Sequence, residues 1–85
     1  MQFSQEERFE QQIGGRRYLF IRMYHPDLPL TYHIHTEVGH RRQVFRLQRV
    51  QEEWKILSSA QVPGFAYIDR EQLVAAILDY EKRRT

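Results

Sequence analysis

Eighty-five residues, 41% hydrophobic and 13% aromatic with a formal net charge of +2, are the length and composition of one small folded domain, and they exclude a disordered chain. The absence of cysteine removes disulfides, thiolate metal sites and cysteine nucleophiles. No apolar run approaches the roughly 20 residues of a membrane span, and the Gln- and Glu-rich N-terminus does not follow a signal-peptide pattern. A cytoplasmic protein with no membrane contact is expected.

The charge is unevenly placed. Between Gly14 and Val50 seven arginines stand against only Asp27 and Glu37, whereas the flanking segments are acidic or nearly neutral. Eleven of the thirteen basic residues are Arg, which stacks on rings and pairs bidentately with phosphate and carboxylate as Lys does not.

In chain order, Ser4 and Glu7 have the spacing of a capping box and predict a short N-terminal helical turn. Phe9, Gln11 and Ile13 then alternate up to Gly14-Gly15. Such a pair is a two-residue hairpin signal, because both central residues need positive φ. An edge strand over about 9–13 is predicted, with a helix through Phe9 and Ile13 as the competing reading.

Residues 16–24 form the second predicted strand, and both of its parities are apolar. One is Leu19, Ile21 and Met23; the other is Tyr18, Phe20, Arg22 and Tyr24. A loop over 25–30 sets Tyr24 opposite Thr31, Met23 opposite Tyr32 and Ile21 opposite Ile34. On that register the aliphatic parity faces the core, and a slip of one residue exchanges the faces.

Residues 31–49 read as a hairpin folded about Gly39 and His40. Tyr32, Ile34, Val38, Phe45 and Leu47 share its apolar parity; His33, His35, Glu37, Arg42, Val44, Arg46 and Gln48 share the other. A four-residue loop over 50–53 then pairs Leu47 with Ile56 and Arg49 with Trp54. Trp54 and Ile56 are expected in the core, with Lys55 and Leu57 outside. Residues 58–64 make a connection broken by Pro63-Gly64.

The last segment carries the most complete helix signature. Asp69 and Gln72 have capping-box spacing, and Ile68 and Leu73 the spacing of a hydrophobic staple. Leu73, Ala76, Ile77 and Tyr80 form one stripe with Val74 beside it. Lys82, Arg83 and Arg84 complement the negative end of the helix dipole. A helix of about fifteen residues is predicted.

A sheet with one apolar face and a helix with one apolar stripe cover each other. The expected fold is a single α+β domain over residues 1–85: an antiparallel meander of four or five strands with one C-terminal helix on its inner face. In the order of its elements this is similar to several small sheet modules, Whirly-type single-strand binders among them, a likeness that covers no motif and carries no residue across.

The functional expectation rests on the outer face. The inferred register gives it Tyr18, Phe20, Arg22, Tyr24, His33, His35, Arg42, Arg46 and Lys55. Beside a solvated face whose Tyr, Arg and Glu side chains form cross-strand pairs, three functional readings follow. The apolar groups, with Val44 and Leu57, fit a protein partner or a homodimer. The rings and cations fit single-stranded nucleic acid, with bases stacked on rings and cations along the phosphates. His33 and His35, about 7 Å apart on one strand face, fit two ligands of a metal or enzyme site with Glu37 as a third. Arg46 beside His33 opposes that reading, because a fixed cation disfavours a second one. No serine lies in a nucleophile elbow, and Gly14-Gly15 lacks the spacing of a phosphate loop. A non-enzymatic binding domain, self-associating and without cofactor or metal, is the reading preferred from the sequence.

Overall fold

In a computed structural model, residues 7–23, 27, 29–57 and 62–84 are described. Strands β1 (Glu7–Ile13), β2 (Arg16–Met23), β3 (Thr31–Val38), β4 (Arg41–Val50) and β5 (Glu53–Leu57) form one antiparallel sheet in meander order. Two helices follow, α1 (Gly64–Ile68) and α2 (Arg70–Arg83), and they pack against one face of the sheet. The expected α+β meander with a C-terminal helix is the observed architecture.

Local turn chemistry sets most of the register. Gly14 and Gly15 both have positive φ, 61° and 78°, so the β1–β2 connection is the two-residue turn their sequence predicts. β1 begins at Glu7, so the strand reading prevails over the helix; Ser4 and the turn it was expected to cap lie outside the described residues. The β3–β4 hairpin pairs Ile34 with Phe45 and Tyr32 with Leu47. β5 pairs Leu47 with Ile56 and Arg49 with Trp54, as expected. Its turn is tighter than the loop expected over 50–53. It consists of Gln51 and Glu52, which take φ of 54° and 70° without being glycine.

The second strand is displaced by one residue from the expected register. Met23 pairs with Thr31, Ile21 with His33 and Phe20 with Ile34. The faces of β2 are therefore exchanged: Tyr18, Phe20 and Arg22 turn toward the helices, and Leu19, Ile21 and Met23 turn away. Packing and hydrogen bonding explain the outcome. Phe20 stacks on Phe9 with centroids 4.4 Å apart, and Phe9 stacks in turn on Tyr80 of α2 at 4.6 Å. Such rings fill the space between sheet and helix, and the polar ends of Tyr18 and Arg22 find partners on the helical side. The core comprises Ile13, Tyr18, Phe20, Tyr32, Ile34, Phe45, Leu47, Trp54, Ala66, Leu73 and Ile77, with Phe9 and Tyr80 packed against it. Trp54 is buried there, as its parity predicts.

The start of the helical layer also differs from its local signature. Pro63-Gly64 opens a helix, α1, where a breaker was expected. Asp69 lies between α1 and α2 in a helical conformation and makes no side-chain cap. Ile68 is 79% exposed, so the staple to Leu73 does not form. The Asp69 carboxylate is instead drawn down to the sheet, where it accepts from Tyr18 Oη at 2.6 Å and from Arg16 Nε at 3.0 Å. The predicted stripe nevertheless faces inward: Leu73 and Ile77 are buried, with Val74, Ala76 and Tyr80 packed beside them.

Candidate functional site

The helices cover one face of the sheet, and no described element covers the other. Cross-strand register orders that open face into rows. Leu19, His35 and Val44 form one row across β2, β3 and β4. Ile21, His33, Arg46 and Leu57 form the next, reaching β5. Met23, Thr31, Gln48 and Lys55 form the third. Arg8 and Glu10 extend the rows onto β1, opposite Ile21 and Leu19. Arg42 and Glu37 face each other nearer the β3–β4 turn.

Of the nine residues assigned to this face from sequence, His33, His35, Arg42, Arg46 and Lys55 lie on it. Tyr18 and Phe20 do not; both are wholly buried beneath the helices. Arg22 also points inward, where its guanidinium meets Glu81. Tyr24 lies outside the described residues. Their places are taken by Leu19, Ile21 and Met23, which the register expected from a loop over 25–30 puts in the core. One signal for the true register was present in α2. Glu81 follows Ile77 by four positions and so lies along the buried stripe. A carboxylate there requires a cation from the sheet, and on the inner side of β2 that cation is Arg22.

The open face is thus aliphatic on β2, imidazole-bearing on β3 and increasingly cationic on β4 and β5. Met23 and Val44 are both 38% exposed, whereas Leu19, Ile21, His33, His35 and Leu57 are partly sheltered by neighbours. Burial, and then the adjacent Arg46, push the His33 imidazole below its ordinary value of 6.5. His33 is therefore neutral at neutral pH, which suits a surface that can be dehydrated. Among the described residues no group of three or more His, Asp or Glu side chains is placed to hold a metal ion.

The inner face carries a repeated polar device. Three carboxylates each receive a two-pronged Arg and a Tyr hydroxyl. Asp69 takes Arg16 and Tyr18, Glu81 takes Arg22 and Tyr32, and Glu7 takes Arg84 and Tyr80. Burial alone would raise Asp69 and Glu81, but their hydrogen bonds outweigh it and hold both carboxyls below the usual range. Glu7 is lowered to about 2, chiefly by its hydrogen bonds from Arg84. Burial, with the bond to Asp69, pushes the Tyr18 phenol up to about 12. These groups are fully engaged with one another and clamp α2 to the sheet.

Comparison with protein-family models, curated proteins and solved structures finds no match to this chain.

Proposed function

We propose that the protein is a small, non-catalytic association module that pairs with a second copy of itself through the open face of its sheet. The observation that carries this reading is the aliphatic strip of Leu19, Ile21 and Met23 on β2, with Val44 and Leu57 on the same face beyond His35, His33 and Arg46, and no described element over it. A sheet buried on both faces is apolar on both, and an apolar strip on an open face marks an interaction surface.

The dimensions agree. Strands of five to ten residues, five abreast, give a face on the order of 600 Å² at ~3.4 Å per residue and ~4.8 Å per strand. Side-chain relief brings this near the roughly 800 Å² that each partner buries in a standard interface. The neutral His33 imidazole lies beside the β2 strip, and Arg42, Arg46 and Lys55 lie toward the β4–β5 side, so an apolar strip is bordered by charge, as in other protein interfaces.

The single-stranded nucleic-acid reading is weakened by the same register. Base stacking needs exposed rings, and the two described rings expected on this face, Tyr18 and Phe20, are wholly buried.

Sedimentation over a concentration series tests the proposal. The wild-type chain is expected to shift from monomer to dimer, and Ile21→Lys to remain monomeric with unchanged circular dichroism and, at dilutions where the wild-type chain is also monomeric, similar melting. A wild-type chain that stays monomeric at high concentration overturns the reading. So does a dimer that Ile21→Lys leaves intact.

A further inference from the structure

The two hairpins of the sheet end side by side, and their tips resemble each other. The first reads Gly14-Gly15-Arg16-Arg17 and the second Gly39-His40-Arg41-Arg42. Meander order places both turns at one end of the sheet. Arg17 and Arg42 are thereby brought to one end of the open face from segments that are separate in sequence.

The hairpins also part at this end. β2 extends to Arg16 and β3 to Val38, but the two pair only as far as Leu19 and His35. Beyond that pair the Thr36 hydroxyl donates to the Arg17 carbonyl at 3.0 Å, a side-chain bond where the ladder has stopped. The parting leaves an open cleft of about 470 Å³, within the range of small-ligand sites. Arg17 and Arg42 line it from opposite hairpins, Leu19 and His35 come from the last paired row, and Glu10 and Glu37 also border it.

The arginines are not equivalent. Arg16, which also borders the cleft, is held by Asp69 and lies over the Phe65 ring at 4.5 Å. Arg17 and Arg42 are exposed, and neither forms an ion pair among the described residues. Two guanidinium forks from different walls match a tetrahedral dianion, which offers oxygens in several directions. A single carboxylate presents only one planar edge. Glu10 and Glu37 would repel a bare anion, but they can accept hydrogen bonds from hydroxyls on the carbon skeleton of an ester.

We propose that the cleft between the hairpin tips binds a small sugar-phosphate ester. Arg17 and Arg42 grip the phosphoryl oxygens, and Glu10 and Glu37 receive the sugar hydroxyls. The site shares Leu19 and His35 with the open face and extends from that row to the hairpin tips.

The test is an NMR titration of the full chain with ribose 5-phosphate at low ionic strength, with ribose and inorganic phosphate titrated in parallel. Saturable shifts are expected at the Gly15, Arg17, Thr36, Gly39 and Arg42 amides, with a dissociation constant of about 1 mM or tighter. Arg17→Gln and Arg42→Gln should each weaken binding at least about tenfold, with unchanged melting, while Arg83→Gln has no effect. Absence of saturation by about 20 mM, well beyond a millimolar dissociation constant, overturns the proposal. Affinity unchanged in both cleft variants does the same, as does inorganic phosphate or ribose binding as tightly as the ester.

Discussion

Arg22 of β2 and Glu81 near the end of α2 are 59 positions apart in sequence, yet they meet through two parallel hydrogen bonds, at 2.7 and 3.4 Å. The Tyr32 hydroxyl donates to the same carboxylate. Together with the stacking of Phe20 on Phe9 and of Phe9 on Tyr80, this pair fixes which face of β2 is inside. It also explains how an arginine is tolerated between the sheet and the helix. The same three-part arrangement recurs at Asp69 and at Glu7, so polar clamps join the helical layer to the sheet at its start and its end.

Breaking the clamp from one side should be costly. Glu81→Ala leaves the Arg22 guanidinium and the Tyr32 hydroxyl facing the helix without their acceptor. A loss of about 3 kcal/mol is expected from urea denaturation. Replacing both ends with apolar side chains, Arg22→Met with Glu81→Leu, should restore most of it.

The register can be tested by comparing adjacent positions. Phe20→Ala removes a wholly buried ring stacked on Phe9 and should cost about 3–5 kcal/mol. Ile21→Ala, on the open face, should cost the monomer about 1 kcal/mol or less. The register expected from a loop over 25–30 predicts the reverse ranking, so denaturation midpoints of the two variants discriminate between them.

Acid should loosen all three clamps. Glu7, Glu81 and Asp69 lie below their ordinary values of 4.5, 4.5 and 3.8. In that range the unfolded chain binds more protons than the folded one, so stability falls as pH falls. The decline should begin near pH 4.5 and continue toward about 2, the value of Glu7. Denaturation at a series of pH values measures it, and a flat profile between pH 5 and 3 would contradict the clamps.

His33 makes a second, milder contribution of the same sign. Its folded-state value is depressed by burial and then by Arg46. The stability present above 6.5 is therefore partly lost as pH falls from 6.5 through that lower value. In NMR titrations His33 should protonate below an ordinary imidazole, and Arg46→Gln should raise its midpoint. An unchanged midpoint in that variant would show that Arg46 exerts no field on the ring.

The β4–β5 turn offers a gain. Gln51 and Glu52 both occupy the left-handed region, where a non-glycine residue is disfavoured by roughly 1–2 kcal/mol. Substituting Gln51→Asn with Glu52→Gly supplies the residues this turn favours. Thermal or urea unfolding should report a stabilisation of about 1–2 kcal/mol.

What could be read in advance depended on how local its cause was. The Gly14-Gly15 turn, the hairpin about Gly39, the pairing of Leu47 with Ile56, and the stripe of Leu73 and Ile77 follow from residues within a few positions of one another. They were legible because φ preferences and side-chain alternation act at that range. His33, His35, Arg42, Arg46 and Lys55 were placed on the open face for the same reason.

Tertiary structure decided the rest. β2 has two apolar parities and is joined to β3 by a connection with no diagnostic turn, so alternation could not choose its inner face. The rings of Phe20 and Tyr18 and the guanidinium of Arg22 chose it together, through Phe9 on β1 and carboxylates in the helical layer that are distant in sequence. Asp69 followed the same rule: its spacing marked a helix cap, but Tyr18 and Arg16 offered a stronger partnership from the sheet. By itself the sequence determined the meander, the helix and most of the registers, because those arise from neighbours. Which groups face the core, and which are left to meet a partner, was determined by ring packing and side-chain hydrogen bonds between residues more than fifty positions apart.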